Sequence, residues 1–264
     1  FVLRPMPIFL FWLFSCVGFW HVNLVSELRD VPPPIGDAVG DFGPHLFVCF
    51  VIWHCVLQHV WYAFEHVPLE FGIAWLGLWW IGVLLDVVFA NVPLQRLTYH
   101  DISQQPGAVT SIVIIVIVVV VLAINQVRVV RSVGLLPKYL ALYIVFGIVL
   151  ALCAAVPGEG LRLHHYVIAL ILLPGCAFPT RISLLCCAIL FGMYINGVAR
   201  WGFDGILQDN GVIQGDATGN SLLPSFSSSM TIDGVIKWNP IPAGQRNIWS
   251  AFNLLVDDVL RYEG

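Results

Sequence analysis

Between Val109 and Val127 the chain reads VTSIVIIVIVVVVLAINQV. Its centre, Val113–Leu122, is almost pure Val and Ile. In water such a β-branched run would suit a strand. In lipid an isolated strand leaves its backbone N–H and C=O groups without partners, so a helix is the form that survives. A spanning helix needs about 20 mostly apolar residues, and this run supplies them. The choice between strand and helix therefore decides the fold, and the rest of the chain decides for helix. Of 264 residues, 59% are hydrophobic and only 11% charged, with a mean hydropathy of +0.87. Soluble domains carry about 25% charged residues. So few charges could not cover the surface of a water-soluble protein of this size, which excludes a cytosolic enzyme and a disordered regulator. The net charge of −4, with no Lys/Arg run, excludes a basic nucleic-acid binder.

Working outward from that run, six further apolar stretches appear. Seven spans are predicted: Met6–Val25, Pro44–Phe64, Gly72–Asn91, Val109–Val127, Leu140–Val156, His165–Phe178 and Ile182–Val198. The third is closed by Pro93, the fifth by Pro157-Gly158, and the sixth is short and interrupted by Pro174-Gly175. The expected fold is an all-α polytopic membrane bundle over residues 1–204. A short extramembrane β-rich tail over 205–264 follows, read as part of a domain. Its strands are expected around Thr231–Trp238 and Phe252–Val259, between turn residues. Trp61-Tyr62, Trp79-Trp80, Phe19-Trp20 and Trp201 near span ends read as interfacial belt residues, with helix packing an equal reading for Trp79 and Trp80.

Lys and Arg in the short loops set orientation. One side carries Arg4, Arg128, Arg131, Lys138 and Arg181; the other carries Arg29, Arg96, Arg162 and Arg200. The cluster Arg128/Arg131/Lys138 and the acidic loop with Glu27, Asp30, Asp37 and Asp41 favour an inner N-terminus and an outer tail. The seven cysteines lie in or beside the apolar stretches. An odd number there reads as packing residues rather than a disulfide framework; Cys186-Cys187 as a reactive pair is the other reading.

Ionisable residues at membrane depth are costly and are functional candidates by default. With alternating spans, Asp86, His100, Asp101, His164, His165, Tyr166, Asn196, Arg200 and Asp204 fall at one face, with His45 at the same level. Reversing the topology moves the whole set together. His164 and His165 are candidate zinc ligands, with Asp86, Asp204 or His100 completing the set, because imidazole and carboxylate are zinc's usual partners. Adjacent histidines diverge by about 100° on a helix, so both reach one ion only at an irregular start. The other reading is hydrogen bonding at the interface or to headgroups. Arg200 and Asp204 have the i,i+4 spacing of a salt bridge. His54 and His59 diverge around span two and make no i,i+4 metal pair. Gly192 and Gly197 read as packing positions.

Three stretches carry a family resemblance. They are Trp80-Ile81-Gly82 with Val92–Ala108 (VPLQRLTYHDISQQPGA); Leu163-His164-His165-Tyr166 with Leu172–Gly175 and Pro179-Thr180-Arg181; and Ile195–Gln208 (INGVARWGFDGILQ) with Gly215-Asp216-Ala217 and Ser221–Pro224. Over roughly residues 70–264 the chain resembles the multi-spanning region of fungal-type LCCL-domain-containing membrane proteins. The cysteine-bearing LCCL domain itself is not among these 264 residues. The resemblance implies a polytopic protein of the secretory pathway or cell surface with a lumenal C-terminal β region, and it supplies no reaction. The expected function is that of a non-enzymatic scaffold, receptor-like or assembly component. Its partners would be membrane lipids, other membrane subunits, or an extramembrane domain met by the tail. A metal-dependent intramembrane hydrolase acting on lipid or amide is the alternative, and a transporter finds little polar lining in spans four and five.

Overall fold

A computed structural model describes residues 6–26, 35–64, 70–90, 92, 107–161, 163–209, 253–256 and 259–263. The described chain is mostly helical, with very little strand. Helix α1 (Pro7–His21) continues as a π-helical turn, Val22–Ser26. Helix α2 (Ile35–Ile52) runs through a π-helical stretch, Trp53–Leu57, into α3 (Gln58–Phe64). A π-helical stretch, Glu70–Trp75, leads into α4 (Leu76–Val83), and α5 (Leu85–Val88) follows. Then come α6 (Ala108–Ser132) and α7 (Leu136–Ala154). Helix α8 (His165–Leu172) ends in a 3-10 turn, Leu173–Cys176, and α9 (Arg181–Trp201) follows.

Five helices are long and apolar enough to cross a membrane: Pro7–Ser26, Ile35–Phe64, Ala108–Ser132, Leu136–Ala154 and Arg181–Trp201. The third and sixth expected spans are shorter, with apolar helix over Gly72–Val83 and His165–Cys176. Each shortening has a local cause. Leu84, at φ −100° and ψ 32°, breaks the third. Pro174, which has no N–H to continue the ladder, tightens the end of the sixth into a 3-10 turn. The second helix, by contrast, starts well before Pro44, at Ile35, and takes the proline inside it. Asp37 and Asp41, expected in a loop, are therefore helical.

Helix α9 lies at the centre and packs against α4, α8, α1 and α2. Glycine makes the tightest crossing possible. A Cβ on Gly192 would stand 2.3 Å from the Trp79 carbonyl oxygen, and one on Gly82 would stand 2.4 Å from that of Ile189. Close backbone approach through small residues is how helices associate without a hydrophobic drive between them. Around this crossing sits an aromatic core. Trp61, Trp75, Trp79, Phe11 and Phe191 are all fully buried. Trp61 and Trp75 meet edge-to-face at 4.8 Å, and Phe11 stacks on Phe191 at 5.1 Å. The belt reading of Trp61 and Trp79 is thus corrected: both fill the core, while Tyr62 is exposed and Trp80 is half-buried.

The α6/α7 hairpin is different. Most of α6 is exposed and no residue of α7 is fully buried. It attaches near the start of α9. There Ser183 donates to the Gln126 side-chain oxygen at 3.1 Å, and Tyr139 meets Phe178 at 5.3 Å. Strand β1 (Glu159–Leu161) pairs antiparallel with β2 (Leu207–Asp209), Gly160 opposite Gln208. The chain divides into two compact units, Phe1–Ile213 and Gln214–Gly264, so β2, which follows the expected boundary after Asp204, lies in the bundle's unit. In the second unit, β3 (Asn253–Val256) and β4 (Val259–Glu263) form an antiparallel pair with an irregularity at Leu254/Leu255. The expected strands at Thr231–Trp238 lie outside the described residues.

Candidate functional site

The polar residues read from depth alone meet where α4, α8 and α9 end together. Helix α9 supplies Asn196 and Arg200, one turn apart on one face. The Asn196 amide donates to the Val83 carbonyl at 2.9 Å, where α4 breaks. One turn further, Arg200 Nη1 pairs with Asp86 Oδ2 at 2.5 Å. The same guanidinium lies 4.8 Å from the centre of the Trp201 ring, a cation–π distance. The two side chains are 33% and 27% exposed, so the pair stands at the rim rather than in the interior. Asp204, expected as Arg200's partner one turn on, gives its backbone carbonyl to the Tyr166 hydroxyl at 2.5 Å.

Helix α8 enters from the opposite direction. A Cβ on Gly197 would stand 2.9 Å from the Tyr166 backbone nitrogen, so the glycine lets the start of α8 lie on α9. Just past α9, Gly202 has φ 68° and ψ −158°, a region open essentially to glycine alone. A Cβ there would also meet Asp41 Oδ2 at 2.8 Å. That contact brings α2 to the same end.

The two histidines part company. His164 is buried, its ring stacked on Tyr166 at 5.9 Å and 18°. His165 is exposed. One imidazole faces in and its neighbour faces out, so the pair cannot close on one zinc ion. Among the described residues no group of three or more His, Cys, Asp or Glu stands where it could hold a metal. His100 and Asp101 lie outside the described residues. His54 and His59, on the second helix, are both exposed.

Sequence reasoning missed a second polar cluster, inside the bundle. Ser15, His45 and Cys49 are fully buried. Ser15 Oγ lies 3.0 Å from His45 Nε2 and 3.0 Å from Cys49 Sγ. The Tyr194 hydroxyl donates to the His45 carbonyl at 3.4 Å, and its ring stacks on the imidazole at 5.6 Å and 12°. A signal was there to find: Asp41, His45 and Cys49 are spaced i, i+4, i+8, one stripe along α2.

No family model matches the chain, and no solved structure matches it. The chain is similar to Uncharacterized protein YIL067C of Saccharomyces cerevisiae, 29% identical over 273 residues. That alignment covers 96% of this chain and 39% of the yeast protein, so the chain spans about two-fifths of the length of the relative it matches.

Proposed function

We propose that the chain is the multi-spanning part of an integral membrane protein of the secretory pathway or cell surface, akin to the LCCL-domain-containing membrane proteins it resembles. It acts as a non-enzymatic scaffold, receptor-like or assembly component. The observation that carries the reading is the closure of the helix ends by Asp86–Arg200, Asn196–Val83 and Tyr166–Asp204. These polar groups tie helices to one another. A general base or metal-bound water would need them turned toward a substrate.

Seven segments crossing in alternation are supported by the meetings along α9. Phe11 of α1 meets Phe191 and Gly18 faces Ile195, so α1 runs with α9. Trp79 faces Gly192 and Val83 meets Asn196, so α4 does too. Trp53 meets Phe11 and Phe42 meets Phe19, so α2 runs against α1. With Arg128, Arg131 and Lys138 placed inside, the Asp86–Arg200 end and the β-rich tail face outward. There the cluster orients lipid headgroups, other membrane subunits or an extramembrane domain.

The test compares metal content in the purified chain and in His164→Ala/His165→Ala, together with glycosylation of an acceptor site inserted after Gly205. The scaffold reading expects unchanged metal and a glycosylated tail. Metal lost with the two histidines refutes it in favour of the hydrolase.

A further inference from the structure

We propose that Ser15, His45 and Cys49 form a binding site for one monovalent d10 cation, Cu+, inside the bundle. The site is independent of the headgroup and scaffold reading above. His45 Nε2, Cys49 Sγ and Ser15 Oγ come from two facing helices and are fully buried. Their mutual distances are 3.0, 3.0 and 3.6 Å. A triangle of those sides has its centre about 1.9 Å from each corner. An ion about 1 Å off that plane stands about 2.1 Å from all three, in the range of metal bonds to nitrogen and oxygen and slightly inside that to sulfur. The 3.6 Å between nitrogen and sulfur decides more. Metal bonds of about 2.3 Å to sulfur and about 2.0 Å to nitrogen, opening at about 110–120°, hold the two donors about 3.5–3.7 Å apart.

The donors select the ion. Thiolate with imidazole suits soft and borderline metals, Cu+ and Zn2+ among them. Charge then separates these two. The site is enclosed by aromatic rings: Phe19 lies 4.8 Å and Tyr194 5.6 Å from the His45 ring. Burying net charge in such surroundings is costly. Binding Cu+ displaces the Cys49 thiol proton to water and leaves a neutral Cu+–thiolate pair. Zn2+ on the same donors leaves a full positive charge. The imidazole is also preset, because Tyr194 holds both its ring and its backbone carbonyl, so little ordering is left for binding to impose. Asp41, half-buried on the same stripe one turn toward the helix start, gives a cation a first carboxylate on the way in.

The experiment uses the full chain in detergent under anaerobic conditions, titrated with Cu+ buffered by a bathocuproine competitor. Wild type should bind one more copper per chain than Cys49→Ser, which removes the background of the other thiols. His45→Gln should weaken the site at least about tenfold and Ser15→Ala about tenfold. As a check that needs no variant to fold, one equivalent of Cu+ should raise the wild-type unfolding midpoint, and one equivalent of Zn2+ should leave it unchanged. Equal copper in wild type and in a monodisperse Cys49→Ser overturns the site, as does a midpoint that Cu+ does not move. A midpoint raised by Zn2+ as much as by Cu+ overturns the charge argument.

Discussion

Replacing Gly192 by Ala should separate α4 from α9 and damage the candidate site at a distance. The added Cβ would stand 2.3 Å from the Trp79 carbonyl oxygen and 2.8 Å from the Val83 nitrogen. Both are backbone atoms, which no rotamer change can move. An ordinary carbon–oxygen contact needs about 3.3 Å, so the helices must part by about 1 Å. That shift stretches the Asn196–Val83 hydrogen bond from 2.9 Å past useful length. Overpacking costs about 1–3 kcal/mol, and the lost hydrogen bond adds about 1 kcal/mol. Exchanging Gly for Ala in a helix returns up to about 1 kcal/mol. The net expectation is a loss of about 1–3 kcal/mol, read by SDS-driven unfolding in mixed micelles. Gly147→Ala on α7 is the control. Nothing lies within 4 Å of its Cβ position, so it should be neutral or slightly stabilising. Gly82→Ala forces the same separation from the other side, so the double variant should cost less than the sum of the singles. A Gly192→Ala within about 0.5 kcal/mol of Gly147→Ala, or strict additivity with Gly82→Ala, refutes the close crossing.

A double-mutant cycle on Asp86→Asn and Arg200→Gln should show a coupling of about 1–2 kcal/mol, between a surface pair and a buried one, because both side chains are about one-third exposed. Coupling near zero would mean that the pair does not tie α5 to α9. Gly202→Ala should cost about 1–3 kcal/mol in the same assay, since its backbone conformation excludes a side chain and Asp41 occupies the space; an unchanged midpoint would refute the turn. Thr180→Ala removes the N-cap of α9, in which Thr180 Oγ1 accepts from the Ser183 N–H at 3.1 Å. It should cost about 1 kcal/mol, with Thr180→Ser keeping most of it.

The long helices were legible because the signal is additive: a run of about 20 apolar residues states its own length. Val109–Val127 was expected, and Ala108–Ser132 is found. The third and sixth segments were overextended because a break depends on one backbone conformation, at Leu84, or on one residue, Pro174, within an otherwise apolar string. Position along the helices was enough to place Asp86, Tyr166, Asn196 and Arg200 at one level, since depth follows from counting residues. Pairing was not. Arg200 meets Asp86 rather far along the chain because Gly82 and Gly192 bring two backbones together, and no local spacing encodes that crossing. The Trp residues show the same limit. An aromatic near a span end reads as a belt, yet Trp61 and Trp79 sit against residues from other helices. Ser15 was overlooked because its partners, His45 and Cys49, stand on the next helix.

The placement of α9 bears on how the protein is made. In the sequence it follows every other helix of the bundle, and its buried face is the one on which α1, α2, α4 and α8 converge. During synthesis those earlier segments reach the bilayer before the surface that receives them exists. The stretches Gly72–Val83 and His165–Cys176 are shorter than a bilayer core needs, so they have the weakest hold on the membrane while they wait. Closure of the bundle is then a late event, set by release of Arg181–Trp201 from the ribosome. A chain interrupted before that helix would remain anchored by its long apolar segments while exposing Gly82, Trp79 and Tyr166 to lipid. Such a chain would be a substrate for membrane quality control rather than a smaller working protein.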